Sequence, residues 1–368
     1  MDSLPMQLNE LGTSSHPAKL YSDEEGIAEG VAEEAAPFLV KAKPERSKQR
    51  YLVKQSLRLA SSRLGLSILA LLSLVVLHSV AESRSRAQNA PTEGVGHMPT
   101  VMVTSHNDEM QAVPLNEALS LGVACVEVDV WIRDGELVVG HESWDLSKSR
   151  RLEDLYLKPL KQILTKNNAQ QELHEQWRGI FSLAPMQDFT LMIDVKNDPE
   201  DLYNKLLKVL QPFMDEDWLT VSEDGVLRQG PLTIIGTGST PLSRVLAAQQ
   251  RYIFFDAPLV DLDQELRIDD RIVEWSPHIS PMASAQWLWS SYYSNAASIK
   301  RFSDQAHKRG IKCRWWGVAR WPTYLRNALW NLQLEAEVDW INADDLSEAS
   351  AFLRSKGIHN TTTGASVS

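Results

Sequence analysis

Eight apolar runs punctuate the chain after residue 98. They fall at about 100–105, 124–131, 189–195, 231–238, 251–258, 271–279, 311–318 and 338–345, with stretches of helical spacing between several of them. Eight strands and interspersed helices in roughly 250 residues predict an α/β fold, a (β/α)8 TIM-type barrel over residues 98–347. A doubly wound sheet is the structural alternative.

The front of the chain has a different pattern. Residues 1–40 are acidic and polar without a period, as in a disordered tail. Between Lys41 and Arg63 eight Lys/Arg face a single Glu, and 64–81 (LGLSILALLSLVVLHSVA) holds no Asp, Glu, Lys or Arg. At 1.5 Å per residue those eighteen positions reach about 27 Å, enough to cross a thin bilayer. The basic flank precedes the span, and the linker 82–97 balances two Arg against two Glu. Positive-inside logic therefore predicts a single-pass type II signal anchor, with the N-terminus cytoplasmic and the barrel lumenal or extracellular. Residues 348–368 read as the end of a C-terminal helix and a polar tail, with a glycosylation sequon at Asn360-Thr361-Thr362.

The strand pattern also carries chemistry. In VEVDVW at 126–131, Glu127 and Asp129 share one face and the valines the other. If that face is interior, both carboxylates need a cation to offset desolvation; if it is the wet face of an edge strand, they need nothing. Two neighbours favour the interior. The first run ends at His106 and Asn107, and the Asp-Gly turn in RDGEL (133–137) leads into VVGHE, bringing His141 back toward the same end of the strand. A third acid, Asp194, ends DFTLMIDVKND with Lys196 two residues on. That pair is either a surface ion pair or a third metal ligand beside a phosphate-binding lysine.

These segments resemble the phospholipase C-like phosphodiesterases, which include glycerophosphodiester phosphodiesterases and spider-venom sphingomyelinase D enzymes. In wording, SHND, VEVDVW and GHE are most similar to the fungal altered inheritance of mitochondria protein 6 family. The resemblance implies His106 and His141 as the acid/base pair, Glu127, Asp129 and Asp194 as ligands of one divalent cation, Mg²⁺ before Ca²⁺, and Lys196 on the substrate phosphate. His106-Asn107 stands where glycerophosphodiesterases carry H-R-G, and Asp194 where they carry Glu; the Asp is closer to the sphingomyelinase D pattern. Asn107 and Trp315 are further candidates for substrate contact, while Asp256, His278, Trp316, Asn342 and Asp344 also lie near strand ends.

The expected function is therefore metal-dependent hydrolysis of a phospholipid, lysophospholipid or glycerophosphodiester, in some relatives through a cyclic phosphate. The alternative is a catalytically silent, membrane-tethered barrel that binds or organises. A non-catalytic descendant is free to lose any of the five catalytic and metal residues, yet all are present. Net charge is −11, and −18 once the +7 segment 41–63 is set aside, which argues against a nucleic-acid partner. Cys125 and Cys313 fall within apolar runs and read as buried thiols.

Overall fold

The computed structural model of the chain describes residues 98–169, 176–268, 271–287 and 295–360. Eight parallel strands close on themselves: β1 (Val101–Ser105), β2 (Val123–Arg133), β3 (Phe189–Val195), β4 (Leu232–Gly238), β5 (Ile253–Pro258), β6 (Met282–Gln286), β7 (Lys312–Trp316) and β8 (Trp340–Ala343). Each pairs with the next, and β8 pairs with β1, so the barrel has no free edge. The expected TIM-type barrel is the observed one.

Helices α1 (Asn116–Ser120), α2 (Lys158–Asn168), α3 (Pro199–Met214), α4 (Leu242–Ala247), α5 (Ala296–His307), α6 (Thr323–Glu335) and α7 (Leu346–Ser355) follow the strands. Their starts are legible. The Asn295 side chain accepts from the Ser298 N–H and Asp345 from the Glu348 N–H, while Pro199 opens α3, where a missing N–H costs nothing. The core lies between barrel and helices: Val126, Val128 and Val130 of β2 are fully buried there with Leu202, Leu206 and Leu210 of α3.

One expectation is corrected. The sixth strand is Met282–Gln286, not 271–279. Within 271–279 only Arg271–Ile272 pairs, antiparallel with Arg267–Ile268, while Val273 and Trp275 are apolar because they pack beside the barrel. The true strand, MASAQ, is weakly apolar because Ala283 and Ala285 share a cluster with Trp275, Trp287 and Trp315, whose rings fill the space. The C-terminal helix packs on the barrel. Helix α7 buries Leu346, Ala349 and Leu353 in the core, and Asn360 pairs through its backbone with Thr100, tying the two ends of the barrel together. Asn360, the sequon asparagine, is half-buried there.

No helix among the described residues is long and apolar enough to cross a membrane. The expected span 64–81, with the tail, basic segment and linker around it, lies outside the described residues.

Candidate active site

Strand alternation places Glu127 and Asp129 in the lumen, opposite the buried valines. Asp129 lies in register with Asp194 on β3, and Lys196 Nζ bridges them, 3.2 Å from Asp129 Oδ2 and 2.9 Å from Asp194 Oδ2. Burial pushes the Asp194 carboxyl up to about 6. Burial also works against the charge on Lys196, but Asp194 and Asp129 outweigh it and hold the ammonium above its ordinary range. Asp194 is seated by its neighbour on β4. Gly238 has φ +61°, and a Cβ there meets Asp194 Oδ1 at 1.9 Å. Gly238→Ala is expected to displace this carboxylate and cut turnover at least tenfold, measured against wild type at equal folded fraction.

The Asp-Gly hairpin forms as its sequence predicts: Asp134 and Gly135 both take positive φ, and Glu136–Val139 returns antiparallel to β2. Past its end, His141 Nδ1 lies 3.0 Å from Asp129 Oδ2. That hydrogen bond raises the His141 pKa to about 9.

His106 follows β1, its N–H donating to the Ala343 carbonyl. Its Nδ1 lies 2.9 Å from Asp344 Oδ1, and Arg320 Nε is 3.3 Å from the other oxygen of that carboxylate. Burial disfavours the imidazolium, but the bond to Asp344 and the nearby Glu127 charge outweigh it, so His106 is raised. Asn107 turns the chain at φ 45° into a 3-10 turn, Asp108–Met110. Asp108 braces that turn: it accepts from Ser105 Oγ, the Leu115 N–H and Tyr156 Oη at 2.6, 2.6 and 2.9 Å. Both histidines thus present Nδ1 to a carboxylate, which only accepts, and keep Nε2 for other chemistry.

Deeper in the lumen, fully buried Arg314 of β7 reaches across the barrel. One nitrogen donates to Glu127 Oε2 at 2.7 Å and to Asn342 Oδ1 at 3.0 Å; Nε donates to Ser284 Oγ at 2.8 Å, and Asp256 Oδ2 lies 3.8 Å away. Burial opposes ionisation of Glu127, but Arg314 overrides it and lowers the carboxyl to about 2. Burial raises Asp256 to about 6. Above this layer a cavity of about 710 Å³ opens between His106, Asn107, Arg320, Trp321, Asn342 and Asp344.

With this geometry in view, residues 93–256 match the family model of the AIM6-like phosphodiesterase domain. The altered inheritance of mitochondria protein 6 homolog of Arthroderma benhamiae is 33% identical over 73% of this chain and 89% of its own length. The chain belongs to the altered inheritance of mitochondria protein 6 family. It is a phosphodiesterase by that family's domain. The Eremothecium gossypii member is 32% identical over 68% of this chain and 69% of its own length. A glycerophosphoryl diester phosphodiesterase from Parabacteroides distasonis is similar over 78% of this chain and 94% of its own, at 12% identity and a TM-score of 0.40, a distance at which no chemistry carries over.

In this family member the structure brings His141, Asp129, Asp194 and Lys196 together and places Glu127 on Arg314, with His106 and Asn107 at the cavity. Trp315 is corrected. It is 0% exposed and packed edge-on to Phe302 and Trp287 on the outer face of the barrel, away from the mouth. Alternation decides this: Arg314 and Trp316 take the lumenal face and Trp315 the other. His278 lies on a turn, bonded to Ser222 Oγ. Cys125 and Cys313 are buried free thiols, pushed up to about 12 by burial. Arg314 escaped the sequence reading although its signal was there, since a cation inside an apolar strand needs an acid across the barrel. A divalent cation fits the site on one observation: Asp129 Oδ1 is buried and has no hydrogen-bond partner.

Proposed function

We propose that this chain hydrolyses phosphodiesters of lipids or their headgroups, using a divalent cation and two histidines. The observation that carries the reading is the matched pair of imidazoles, each fixed through Nδ1 by a carboxylate, at the mouth of the barrel. Nε2 of one accepts the proton of the attacking hydroxyl as the new P–O bond forms; Nε2 of the other donates a proton to the leaving oxygen as the old bond breaks. If the attacker is a substrate hydroxyl, the product is a cyclic phosphate. Lys196 supplies a fixed positive charge for a phosphoryl oxygen. Asp129, Asp194 and the second oxygen of Glu127 are the residues to hold the cation, and Mg²⁺ suits so few carboxylates because it keeps several waters. When bound, the ion offsets charge developing on the phosphoryl group.

A lipid substrate is supported by the mouth itself. Trp321 on the loop after β7, Tyr324 at the start of α6, and Trp144 in the segment that carries His141 are highly exposed aromatic side chains of the kind that settle at a membrane interface. An anchor at 64–81, as the sequence predicts, would keep the barrel within a sixteen-residue linker of such a surface.

The test is ³¹P NMR of the full-length chain in mild detergent with lysophospholipids and glycerophosphodiesters, in Mg²⁺ and then in EDTA. A new phosphorus signal that EDTA suppresses at least a hundredfold is expected. Turnover that survives EDTA excludes the cation, and no turnover across the panel excludes the substrate class.

A further inference from the structure

Beyond the acids already placed, a fourth carboxylate reaches the same end of the barrel. Glu109, in the turn three residues after His106, is only 2% exposed and folds back so that its Oε2 accepts the Asp129 N–H at 3.2 Å. Its other oxygen, Oε1, is buried without a hydrogen-bond partner, as is Oδ1 of Asp129, itself 0% exposed. A ligand atom from each of Glu109, Asp129 and His141 lies within 4.8 Å of the others.

The protein's own cations leave these two oxygens bare. Lys196 bridges Asp129 Oδ2 and Asp194, Arg314 holds Glu127, and Arg150 meets Glu109 only at its backbone carbonyl. Among the described residues no Lys or Arg pairs with the Glu109 carboxylate. Two adjacent buried carboxylates thus keep one bare oxygen each, and the positive groups beside them, Lys196 and His141, reach only Oδ2 of Asp129. Hard oxygen donors are the ligand type of Mg²⁺ and Mn²⁺.

We infer that Glu109 is a ligand of the divalent cation, paired with Asp129, and that Glu127, committed through one oxygen to Arg314, is the lesser contributor. This rests on the cation in the proposed function and not on the choice of substrate. It also gives the turn after His106 a second purpose, since the same five-residue segment then sets one histidine and one cation ligand.

The experiment is Mn²⁺ binding to the full-length chain, read by electron paramagnetic resonance, for wild type, Glu109→Gln and Glu109→Asp. Thermal melting is recorded with and without Mn²⁺. Gln removes the charge at constant shape, and Asp keeps the charge but withdraws it by one methylene. Both variants are expected to bind Mn²⁺ at least tenfold more weakly than wild type. Glu109→Gln is expected to melt no lower than wild type without metal, because a buried like-charge pair has been relieved, and to lose the Mn²⁺-induced rise.

Wild-type affinity in either variant overturns the inference. So does a metal-free melting loss in Glu109→Gln that Mn²⁺ repairs as well as in wild type, since the residue is then a structural brace. A wild-type chain that cleaves diesters yet binds no Mn²⁺ overturns it while leaving the phosphodiesterase reading in place. Glu109-dependent Mn²⁺ binding without diester cleavage does the reverse.

Discussion

His106→Ala slows diester cleavage by about 10²–10⁴-fold, the range for a lost general acid or base, and leaves Mg²⁺ affinity within about twofold of wild type. The split follows from where the ring sits. Its partner is Asp344, on the far side of β1 from the acids of β2 and β3, and none of its hydrogen bonds reaches Asp129 or Asp194. Asp129→Ala behaves differently because Asp129 is a hub. It anchors His141, receives Lys196 and offers the bare buried oxygen. Losing it removes metal binding and turnover together. Initial rates beside calorimetric Mg²⁺ titrations of both variants give the answer, and full activity in both discards the site.

The second large effect is on stability. Arg314→Met leaves Glu127 buried and unpaired, with Ser284 and Asn342 robbed of the donor that organises them and Asp256 of a nearby positive charge. Breaking a buried pair from one side costs about 3–5 kcal/mol, far more than the pair is worth over an apolar replacement. Urea unfolding at 25 °C is the measurement. Adding Glu127→Gln should recover most of the loss, because the stranded charge is gone. A single variant within about 1 kcal/mol of wild type means that Glu127 finds another partner, and that the lumenal network does not depend on the arginine.

Where chemistry repeats with the backbone period, it was legible. Glu127 and Asp129 face inward because a strand alternates, whatever lies around it, and Asp134-Gly135 makes its turn because both residues tolerate positive φ. The same rule applied to KCRWW picks out Arg314 and rejects Trp315, yet the two tryptophans read as the more conspicuous feature. The sixth strand failed for the opposite reason. MASAQ owes its place to neighbouring rings rather than to its own hydrophobicity, and RIVEWSPHI is apolar because it covers a cluster.

What the sequence alone determined is the set of local facts: which side chains share a face, where hairpin and helices start, and which residue types can hold a proton or a cation. The tertiary structure decided the partners. Asp344 reaches His106 across 238 positions, Arg314 reaches Glu127 across 187, and Lys196 meets Asp129 only because β2 and β3 lie in register. Barrel closure sets those distances, and no local pattern encodes them. Electrostatics in a dry lumen then settles each group's charge from whichever neighbour the closure has delivered.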